Sequence, residues 1–395
     1  MISANNWTLS KIGDFLEVTN GKTNTDDAII GGNYPLFDRS TEIKRSNKFL
    51  FDTEAIIIPG EGKEFYPRYY QGKFDLHQRA YAIFPKQDKK VNLKYLYYWI
   101  HHNQNYLLKM AVGSTVKSLR LYMLRNFPLS FPNTEIQQKI VNILTSVDDD
   151  IQKTDQIIQK TEVLKQGLMR ELLAKGIGHK KFKKTKIGEI PEEWNVNSIL
   201  DADIEIIDGD RGVNYPTQHE FYSKGFCLFL SNRNIRNDSF DFNEPVFITQ
   251  EKDQQLRKGK LKRWDVILTT RGTVGNVAIY DDSIFYDHIR INSGMLVFRA
   301  GESIESEFLY FLLKSPDFKE RYLQLSSGSA QPQLPISSLK NLVIPIPPKD
   351  EQKEIIKRLK FMDAKHIIEI NLKNSLVNLK NGLMQDIFSQ KLQIN

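Results

Sequence analysis

The order of apolar and polar residues predicts two long helices. In the first, apolar residues recur every three or four positions from Ile140 to Leu172, and neither Pro nor Gly occurs between Ile136 and Gln166. The second, starting near Ile355, repeats this pattern, with His366, Glu369 and Lys373 at the phase of its apolar residues. Each pattern predicts a helix of about 35 residues, ~52 Å long. Because neither helix can bury its apolar stripe alone, we expect an antiparallel, coiled-coil-like pair with polar central positions.

The chain contains a tandem repeat with an offset of 215 positions. Leu-Lys-Gln-Gly-Leu-Met at 164–169 recurs as Leu-Lys-Asn-Gly-Leu-Met at 379–384. The same offset relates Gly113-Ser114 to Gly328-Ser329, Pro132 to Pro347, Gln137 to Gln352, Ile140 to Ile355 and Leu144 to Leu359. Nearer the start of each copy the offset is 187, from Trp7 to Trp194, so the second copy carries 28 additional residues before Gly328. Two divergent front parts thus precede two similar helices.

Short apolar runs in the front parts predict strands mixed with short helices, and hence an α+β fold. Predicted strands lie at 54–60, 81–84, 265–272, 277–280 and 295–298, predicted helical stretches at 95–99 and 308–312, and proline-bearing edge strands at 127–132 and 342–347. The predicted divisions are a first mixed domain at 1–134, a long helix at 135–175, a basic linker at 176–190, a second mixed domain at 191–348 and a second long helix at 349–395.

The composition narrows the class of protein. A chain of 395 residues, 40% hydrophobic and 26% charged, can form two or three cores. Its single cysteine, Cys227, excludes an internal disulfide and any multi-cysteine metal site. No apolar run approaches the ~18–20 residues of a membrane span, and the first seven residues do not form a signal peptide. We therefore expect a soluble cytoplasmic protein with no membrane partner.

The net charge of +7 is concentrated in one segment. Six lysines and no acidic residue lie between Lys175 and Lys186, and without them the chain would carry only +1. Such a segment suits non-specific contact with the phosphates of a nucleic acid. The alternative is a solvated lysine-rich linker without a partner.

Polar and basic loop residues are candidates for contacts with DNA bases and phosphates. In the second front part they are Arg211, the polar turn residues Asn232, Arg233, Asn234 and Arg236, Arg271 in a Gly-rich turn, and Gln331 and Gln333. In the first they are Lys63, Arg68, Tyr69 and Lys73, which interleave bases with aromatics, and Lys117 and Arg120, with Arg39, Lys44 and Arg45 as weaker candidates. Each set is alternatively a solvated or purely structural turn.

Signatures of an enzyme are mostly missing from the sequence. It has no Asn/Asp-Pro-Pro-aromatic stretch of an amino-methyltransferase and no phosphate-binding Gly-x-x-x-x-Gly-Lys-Ser/Thr loop. Asp52, Glu61 and Lys63 have the spacing of a metal-dependent nuclease site, which leaves nuclease activity as one alternative. A non-catalytic coiled-coil scaffold is another.

The order of two variable domains alternating with two long helices, together with the local motifs, resembles the specificity subunit of type I restriction–modification enzymes. The motifs are Lys-Ile-Gly-Glu-Ile-Pro at 186–191 with Trp194, the repeated Gly-Ser pairs, the Pro and Gln residues that precede and begin the helices, and the Leu-Lys-x-Gly-Leu-Met ends. The resemblance covers essentially the whole chain.

This resemblance implies a distinct role for each part of the chain and for its partner subunits. The front parts would be target recognition domains, each reading one half of a bipartite double-stranded DNA target. The helices would form an antiparallel pair that separates these domains and docks two methyltransferase subunits. The chain would have no catalytic activity and no cofactor of its own. S-adenosylmethionine would be used by the methyltransferase subunits, and ATP and magnesium by restriction and translocation subunits.

Overall fold

The computed structural model describes residues 7–86, 91–326, 333–392 and 394. The chain divides into two compact units. Unit 1 comprises 1–156 and 370–395, and unit 2 comprises 157–369. Each long helix is therefore shared between the units, whereas the sequence analysis treated each as a separate segment.

Unit 1 is built around a mixed six-stranded sheet. Its elements are β1 (Thr8–Lys11), α1 (Ile12–Phe15), β2 (Leu16–Asn20), β3 (Tyr34–Phe37), β4 (Lys44–Ser46), β5 (Phe51–Pro59), β6 (Glu61–Gly62), β7 (Arg68–Leu76), β8 (Ala80–Pro85), α2 (Leu93–His102), α3 (Gln104–Met110), β9 (Lys117–Ser118), α4 (Leu121–Arg125), β10 (Pro128–Phe131) and the first part of α5 (Thr134–Lys175). The sheet order is β2-β8-β5-β7-β3-β4, in which only the β3–β7 pair is parallel. Strands β1 and β10 pair separately, as do β6 and β9.

Unit 2 distributes similar strands over smaller sheets. After α5 its elements are β11 (Phe182–Thr185), β12 (Gly188–Pro191), β13 (Asn195–Ser198), β14 (Ile204–Asp208), β15 (Cys227–Leu230), β16 (Ile235–Arg236), β17 (Ser239–Phe240), β18 (Phe247–Ile248), α6 (Gln250–Gln255), β19 (Val266–Thr269), β20 (Val277–Ile279), β21 (Ile289–Ile291), β22 (Met295–Ala300), α7 (Ser306–Lys314), α8 (Pro316–Leu323), α9 (Ile336–Lys340), β23 (Val343–Ile346) and the first part of α10 (Lys349–Phe388). The larger sheets have the orders β14-β22-β19-β20 and β18-β15-β21. The basic segment predicted as a linker contains the β11–β12 hairpin.

The central strands are apolar on both faces because each face contacts a different core. In β5, Ile56 and Ile58 enter one buried cluster while Ala55 and Ile57 enter another. This alternation is the two-residue period of a strand covered on both sides. It confirms the strand predicted at 54–60, and β19 at the equivalent place confirms the strand predicted at 265–272.

The two long helices complete both cores with equivalent residues. Unit 1 buries Ile140 and Leu144 from the start of α5 together with Met384 and Ile387 from the end of α10. Unit 2 buries the residues 215 positions away from these, namely Met169, Leu172, Ile355 and Leu359. The repeat in the sequence is thus a repeat of packing positions.

The repeated glutamine anchors the start of each long helix. Gln137 is buried, donates from Nε2 to the carbonyl of Pro132 at 2.8 Å, and accepts from the Asn92 N–H at 3.0 Å. Gln352 makes the same two hydrogen bonds, to the carbonyl of Pro347 and from the Glu305 N–H, each at 2.8 Å. Each amide thereby ties a helix N-terminus to the preceding strand and to a neighbouring helix.

Ion pairs between α5 and α10 confirm the antiparallel arrangement within each unit. In unit 1, Lys380 pairs with Asp148 at 2.6 Å and Lys373 with Asp155 at 2.5 Å. In unit 2, His366 lies 3.6 Å from Glu162, and Lys165 lies 2.8 Å from Asp363. The two residue numbers of every pair total 528, so one register holds along both helices. Of the polar central positions noted in the sequence, His366 and Lys373 belong to these pairs, whereas Glu369 lies 3.9 Å from Lys365 of its own helix.

The additional residues of the second copy enter at loops. The offset between equivalent strand residues is 188 at β2/β14, 193 at β3/β15, 210 at β5/β19 and 215 at β8/β22. One insertion divides the continuous β7 of unit 1 into β20 and β21 of unit 2. The insertions therefore keep the pairing of equivalent strands but divide the six-stranded sheet of unit 1 into two smaller sheets in unit 2. Over the ranges that the structure describes, no helix is long and apolar enough to cross a membrane.

Candidate nucleic-acid interface

In unit 1, the β6–β9 ladder brings together two predicted sites that are distant in sequence. Gly62 pairs with Lys117 and Glu61 with Ser118, so Lys63 and Lys117 lie side by side on exposed chain. The Leu119 N–H donates to the Gly60 carbonyl at 2.8 Å and fixes the backbone just before Arg120. Lys63, Lys117 and Arg120 therefore share one edge of the unit.

Glu61 lies at the centre of this edge and is held by two arginines. Nη1 of Arg79 lies 3.0 and 2.9 Å from its two carboxylate oxygens, and Nη1 of Arg39 lies 3.4 Å from Oε2. The Ser118 hydroxyl donates to Oε1 at 3.3 Å. Burial alone would raise the pKa of Glu61, but the hydrogen bonds and charges of Arg79, Ser118 and Arg39 hold it below its usual value. Arg79 was not among the residues predicted from the sequence.

The remaining predicted residues of unit 1, on β7, do not form one surface. Arg68 donates from Nη2 to the carbonyls of Ser40 and Thr41, each at 2.7 Å, and so holds the loop that carries Arg39. Tyr69 donates its hydroxyl to Glu54, and its pKa is raised by burial and by that carboxylate. Lys73, at the other end of β7, lies 4.7 Å from the ring centre of Phe49.

In unit 2, Arg271 lies at a similar edge. It forms an isolated bridge with Gln333, and the side-chain amide of Asn232 donates to its carbonyl. The Asn232 side chain packs against Gly294, where an added Cβ would come within 2.8 Å of Oδ1. Arg211 is tied nearby to Asp208 and to the carbonyl of Ser293, each at 3.2 Å. Gln331 lies outside the described residues.

The polar turn at 231–236 divides into structural and exposed side chains. Asn234 is buried; its carbonyl oxygen accepts from the Ser231 N–H at 2.9 Å and its amide donates to the Asp241 carbonyl at 3.1 Å. Its amide edge is therefore used inside the turn. Arg233 and Arg236 are exposed, and Nε of Arg236 donates to the Arg233 carbonyl.

The edges of the two units occupy equivalent places in the fold. The Gly60 N–H donates to the Arg79 carbonyl at 2.8 Å, and the Thr270 N–H donates to the Gly294 carbonyl at 2.8 Å. The Leu119-to-Gly60 bond has its counterpart in a 3.1 Å bond from the Leu334 N–H to the Thr270 carbonyl. Glu61 therefore corresponds to Arg271, and Ser118 to Gln333.

The geometry does not assemble the nuclease site that the sequence allowed. Asp52 lies near the start of β5 and pairs across the sheet with Lys73. Seven residues of extended strand separate Asp52 from Pro59, about 23 Å at ~3.3 Å per residue. Glu61, beyond that end, is neutralised by arginines. Across the described ranges, no cluster of three His, Cys, Asp or Glu residues is placed to hold a metal ion.

Comparison with known proteins gives a consistent result. The family model described as type I restriction modification DNA specificity domain matches residues 4–163 and again 191–378. The type I restriction enzyme MjaVIII specificity subunit of Methanocaldococcus jannaschii is 27% identical over 98% of this chain and 93% of its own. The EcoDI specificity subunit of Escherichia coli is 22% identical over 97% of this chain and 87% of its own.

Solved structures show the same fold at low identity. The type I restriction-modification S subunit from M. genitalium superposes with a TM-score of 0.58 at 16% identity, covering 96% of this chain and 95% of that one. A chain from a structure on complex assembly and conformational transition of the type I R-M system gives a TM-score of 0.61 at 15% identity, covering 97% of each chain.

Proposed function

The chain belongs to the family of type I restriction–modification specificity subunits, and on that premise we propose that each unit reads one half of a bipartite target in double-stranded DNA. The observation that carries the proposal is the pair of equivalent polar edges, built on the same strand ends but bearing different side chains. Glu61 with Arg39 and Arg79 stands in unit 1 where Arg271 with Asn232 stands in unit 2. Two different half-sites require that both units keep the same backbone arrangement while the side chains that contact the bases differ.

The long helices offer a duplicated docking surface for two copies of one partner. Ile157 and Leu164 of α5, in unit 2, are 48% and 59% exposed. Their equivalents 215 positions later, Leu372 and Leu379 of α10 in unit 1, are each 51% exposed. Within each pair the residues lie seven positions apart, so they project from one helix face. Apolar side chains exposed in this repeated pattern favour partner contact over solvent, and the proposed partners are two methyltransferase subunits.

The chemistry belongs to the partner subunits in this proposal. The methyltransferase subunits use S-adenosylmethionine to methylate the DNA that this chain selects. Restriction and translocation subunits use ATP and magnesium to cut it. The specificity subunit itself contributes DNA affinity, base preference and the attachment of its partners.

The test is reconstitution with the methyltransferase subunits followed by mapping of methylated adenines on genomic DNA. We expect one bipartite motif that requires this chain, and no methylation or cutting of DNA by the chain alone with magnesium. Cutting by the purified chain that disappears in Glu61→Ala would refute the proposal in favour of the nuclease. A continuous, single-part motif would contradict the assignment of one half-site to each unit.

The docking surface has a separate test. Leu164→Asp places a charge on the face of one helix, and Leu379→Asp does so on the other. We expect each variant to bind one methyltransferase subunit instead of two, measured by native mass spectrometry, because an apolar contact becomes a buried unpaired charge. Val163→Asp is the matched control, since Val163 is 74% exposed but its equivalent at 378 is Asn. Loss of both partners in either single variant would contradict two independent docking sites.

A further inference from the structure

Three positions meet at each polar edge, and their equivalence follows from backbone hydrogen bonds. The His77 N–H donates to the Phe37 carbonyl at 2.9 Å, and the Asn292 N–H donates to the Leu230 carbonyl at 3.1 Å. Phe37 is therefore equivalent to Leu230. Two positions further along each chain segment, Arg39 and Asn232 lie at the polar edges and are equivalent to each other. The edge triads are Arg39, Glu61 and Arg79 in unit 1, and Asn232, Arg271 and Gly294 in unit 2.

The side chains of the triads differ, but their net charge does not. Two arginines and one glutamate give +1 in unit 1, and one arginine gives +1 in unit 2. Glu61 is equivalent to Arg271, and its negative charge is compensated by Arg39 and Arg79. The equivalents of these two arginines in unit 2, Asn232 and Gly294, are uncharged. The two edges keep the charge that suits DNA while presenting different hydrogen-bonding groups.

The arginines of unit 1 are held by hydrogen bonds of their loops and by Glu61. Arg79 lies in a turn closed by the Ala80 N–H donating to the His77 carbonyl at 2.9 Å, and its own N–H donates to His77 Nδ1 at 3.0 Å. The loop of Arg39 is held by Arg68. Glu61, with a side chain only 16% exposed, then orients both guanidinium groups, whose side chains are 59% and 58% exposed.

The side of Arg79 that Glu61 leaves available presents two hydrogen-bond donors. Both bonds to Glu61 use Nη1, and among the hydrogen bonds of the described residues none uses Nε or Nη2 of Arg79. Those two atoms form an edge with two parallel donors, which matches O6 and N7 of guanine in the major groove. The same edge can pair with two oxygens of a phosphate, and the base preference of the variants distinguishes the two contacts.

We propose that Arg39 and Arg79 of unit 1, positioned by Glu61, read guanine in the half-site of that unit. This inference rests on the proposed function and adds the identity of the base and of the residues that select it. Arg39 and Arg79 contact the base edge, and Glu61 is a positioning residue that acts through them.

The experiment uses the complex with methyltransferase subunits and a DNA library in which both half-sites are randomised. Arg79→Lys and Arg39→Lys retain the charge but lose the two-donor fork. We expect each to reduce discrimination for guanine at one position of the unit 1 half-site by about 10- to 100-fold, and to leave the other half-site unchanged. Arg45→Lys is the control, because Arg45 donates to the carbonyls of Gly32 and Asn33 and lies outside the triad.

Glu61→Gln separates positioning from structural support. If Glu61 is a positioning residue, the complex with Glu61→Gln should lose discrimination at the same guanine positions as the arginine variants. Its thermal unfolding midpoint should be retained. A purely structural role would lower the methylation rate at all sites without changing base preference, and that result would overturn the assignment of Glu61.

Other outcomes refute different parts of the argument. An unchanged motif in Arg79→Lys and Arg39→Lys would overturn the inference, even if binding weakened uniformly. A salt dependence of binding shallower by ~0.9 in log–log slope in Arg79→Met would then identify a phosphate contact. If the wild-type complex itself methylates no bipartite target, the proposed function fails and this inference with it.

Discussion

Lengthening the helix pair tests whether α5 and α10 set the separation of the half-sites. The pairs within each unit join residues whose numbers total 528, and we place the two insertions at the points that match this sum, after Ile158 in α5 and after Glu369 in α10. Duplicating 152–158 and 363–369 at these two points adds one heptad to each helix. All four ion pairs are kept, two on either side of the insertion.

The size of the expected effect follows from helix and duplex geometry. Seven residues at 1.5 Å add ~10 Å to the helix pair, and duplex DNA rises ~3.4 Å per base pair. The unread spacer of the target should therefore grow by ~3 base pairs. Three base pairs also rotate the second half-site by roughly 100°, so some loss of methylation rate is expected from twisting the DNA.

Methylation mapping of the reconstituted complex decides the matter. The sequences of both half-sites should stay the same, because no reading loop changes within its unit. Two variants serve as controls. Inserting the heptad into only one helix breaks the ion-pair register. Inserting one heptad after Val147 and one after Met362 shifts the pairing of the residues between the two insertions by seven positions. A folded double-insertion protein that methylates with the original spacer would refute the idea that the helices set the distance.

Three further predictions concern stability and salt dependence. Glu351→Ala should lower the free energy of unfolding of unit 2 by about 2–4 kcal/mol, because the indole N–H of buried Trp194 and the half-buried Ile177 N–H lose their acceptor. Asp350→Ala, at an exposed neighbour, should cost little, and equal losses in chemical denaturation would contradict this. Asp253→Asn should lower the free energy of unfolding by about 3–5 kcal/mol, because it leaves Arg290 unpaired. The pKa of Asp253 is lowered in the fold, so its contribution to stability should be present above the unfolded pKa of ~3.9 and should vanish as the pH falls through the lowered value. Acid titration of both proteins measures this. Replacing the five exposed lysines between 175 and 186 by Gln should reduce the slope of log affinity against log salt by up to ~4–5, and an unchanged slope would show that this segment does not touch DNA.

The two donors that depend on Glu351 are specific. Its carboxylate accepts from Nε1 of Trp194 at 2.8 Å and from the Ile177 N–H at 2.9 Å, and His179 Nε2 lies 2.8 Å away. The position equivalent to Glu351 in unit 1 is Ile136. Accordingly, buried Nε1 of Trp7, the counterpart of Trp194, has no hydrogen-bond partner among the described residues. The sequence identified both tryptophans as a repeat but could not show that only one is hydrogen-bonded.

The helices and main strands were predictable because their periodicity is local. A run such as Ala-Ile-Ile-Ile at 55–58 has few alternatives to a buried strand, and a register of 215 positions over two helices requires equivalent packing. The helices proved longer than the predicted 35 residues, at 42 and 40, and Thr154 and Thr161 lie buried within the first of them.

The residues proposed to read DNA were less predictable because their arrangement depends on contacts between distant loops. Arg68, with aromatic neighbours, had the composition of a DNA contact but holds a loop. Arg79 lies in a turn just before β8 and becomes a candidate only because its carbonyl accepts from the Gly60 N–H. The sequence allowed Glu61 to be an acidic residue of a nuclease site, whereas in the structure it pairs with Arg39 and Arg79.

Divergence between the units extends from the edges into the buried polar groups. Asp75 of β7 accepts hydrogen bonds from Thr23 at 2.6 Å and Ser46 at 2.9 Å, and its equivalent in β21 is Arg290, which is paired with Asp253. A buried carboxylate has thus been exchanged for a buried guanidinium with its own counter-charge, while the strand pairing around it is retained. Since an unpaired buried charge costs several kcal/mol, the residue and its partners must have changed together. The edge triads show the same coupling, because their net charge is equal while their hydrogen-bonding groups differ, and this is the pattern that the proposed reading of two different half-sites requires.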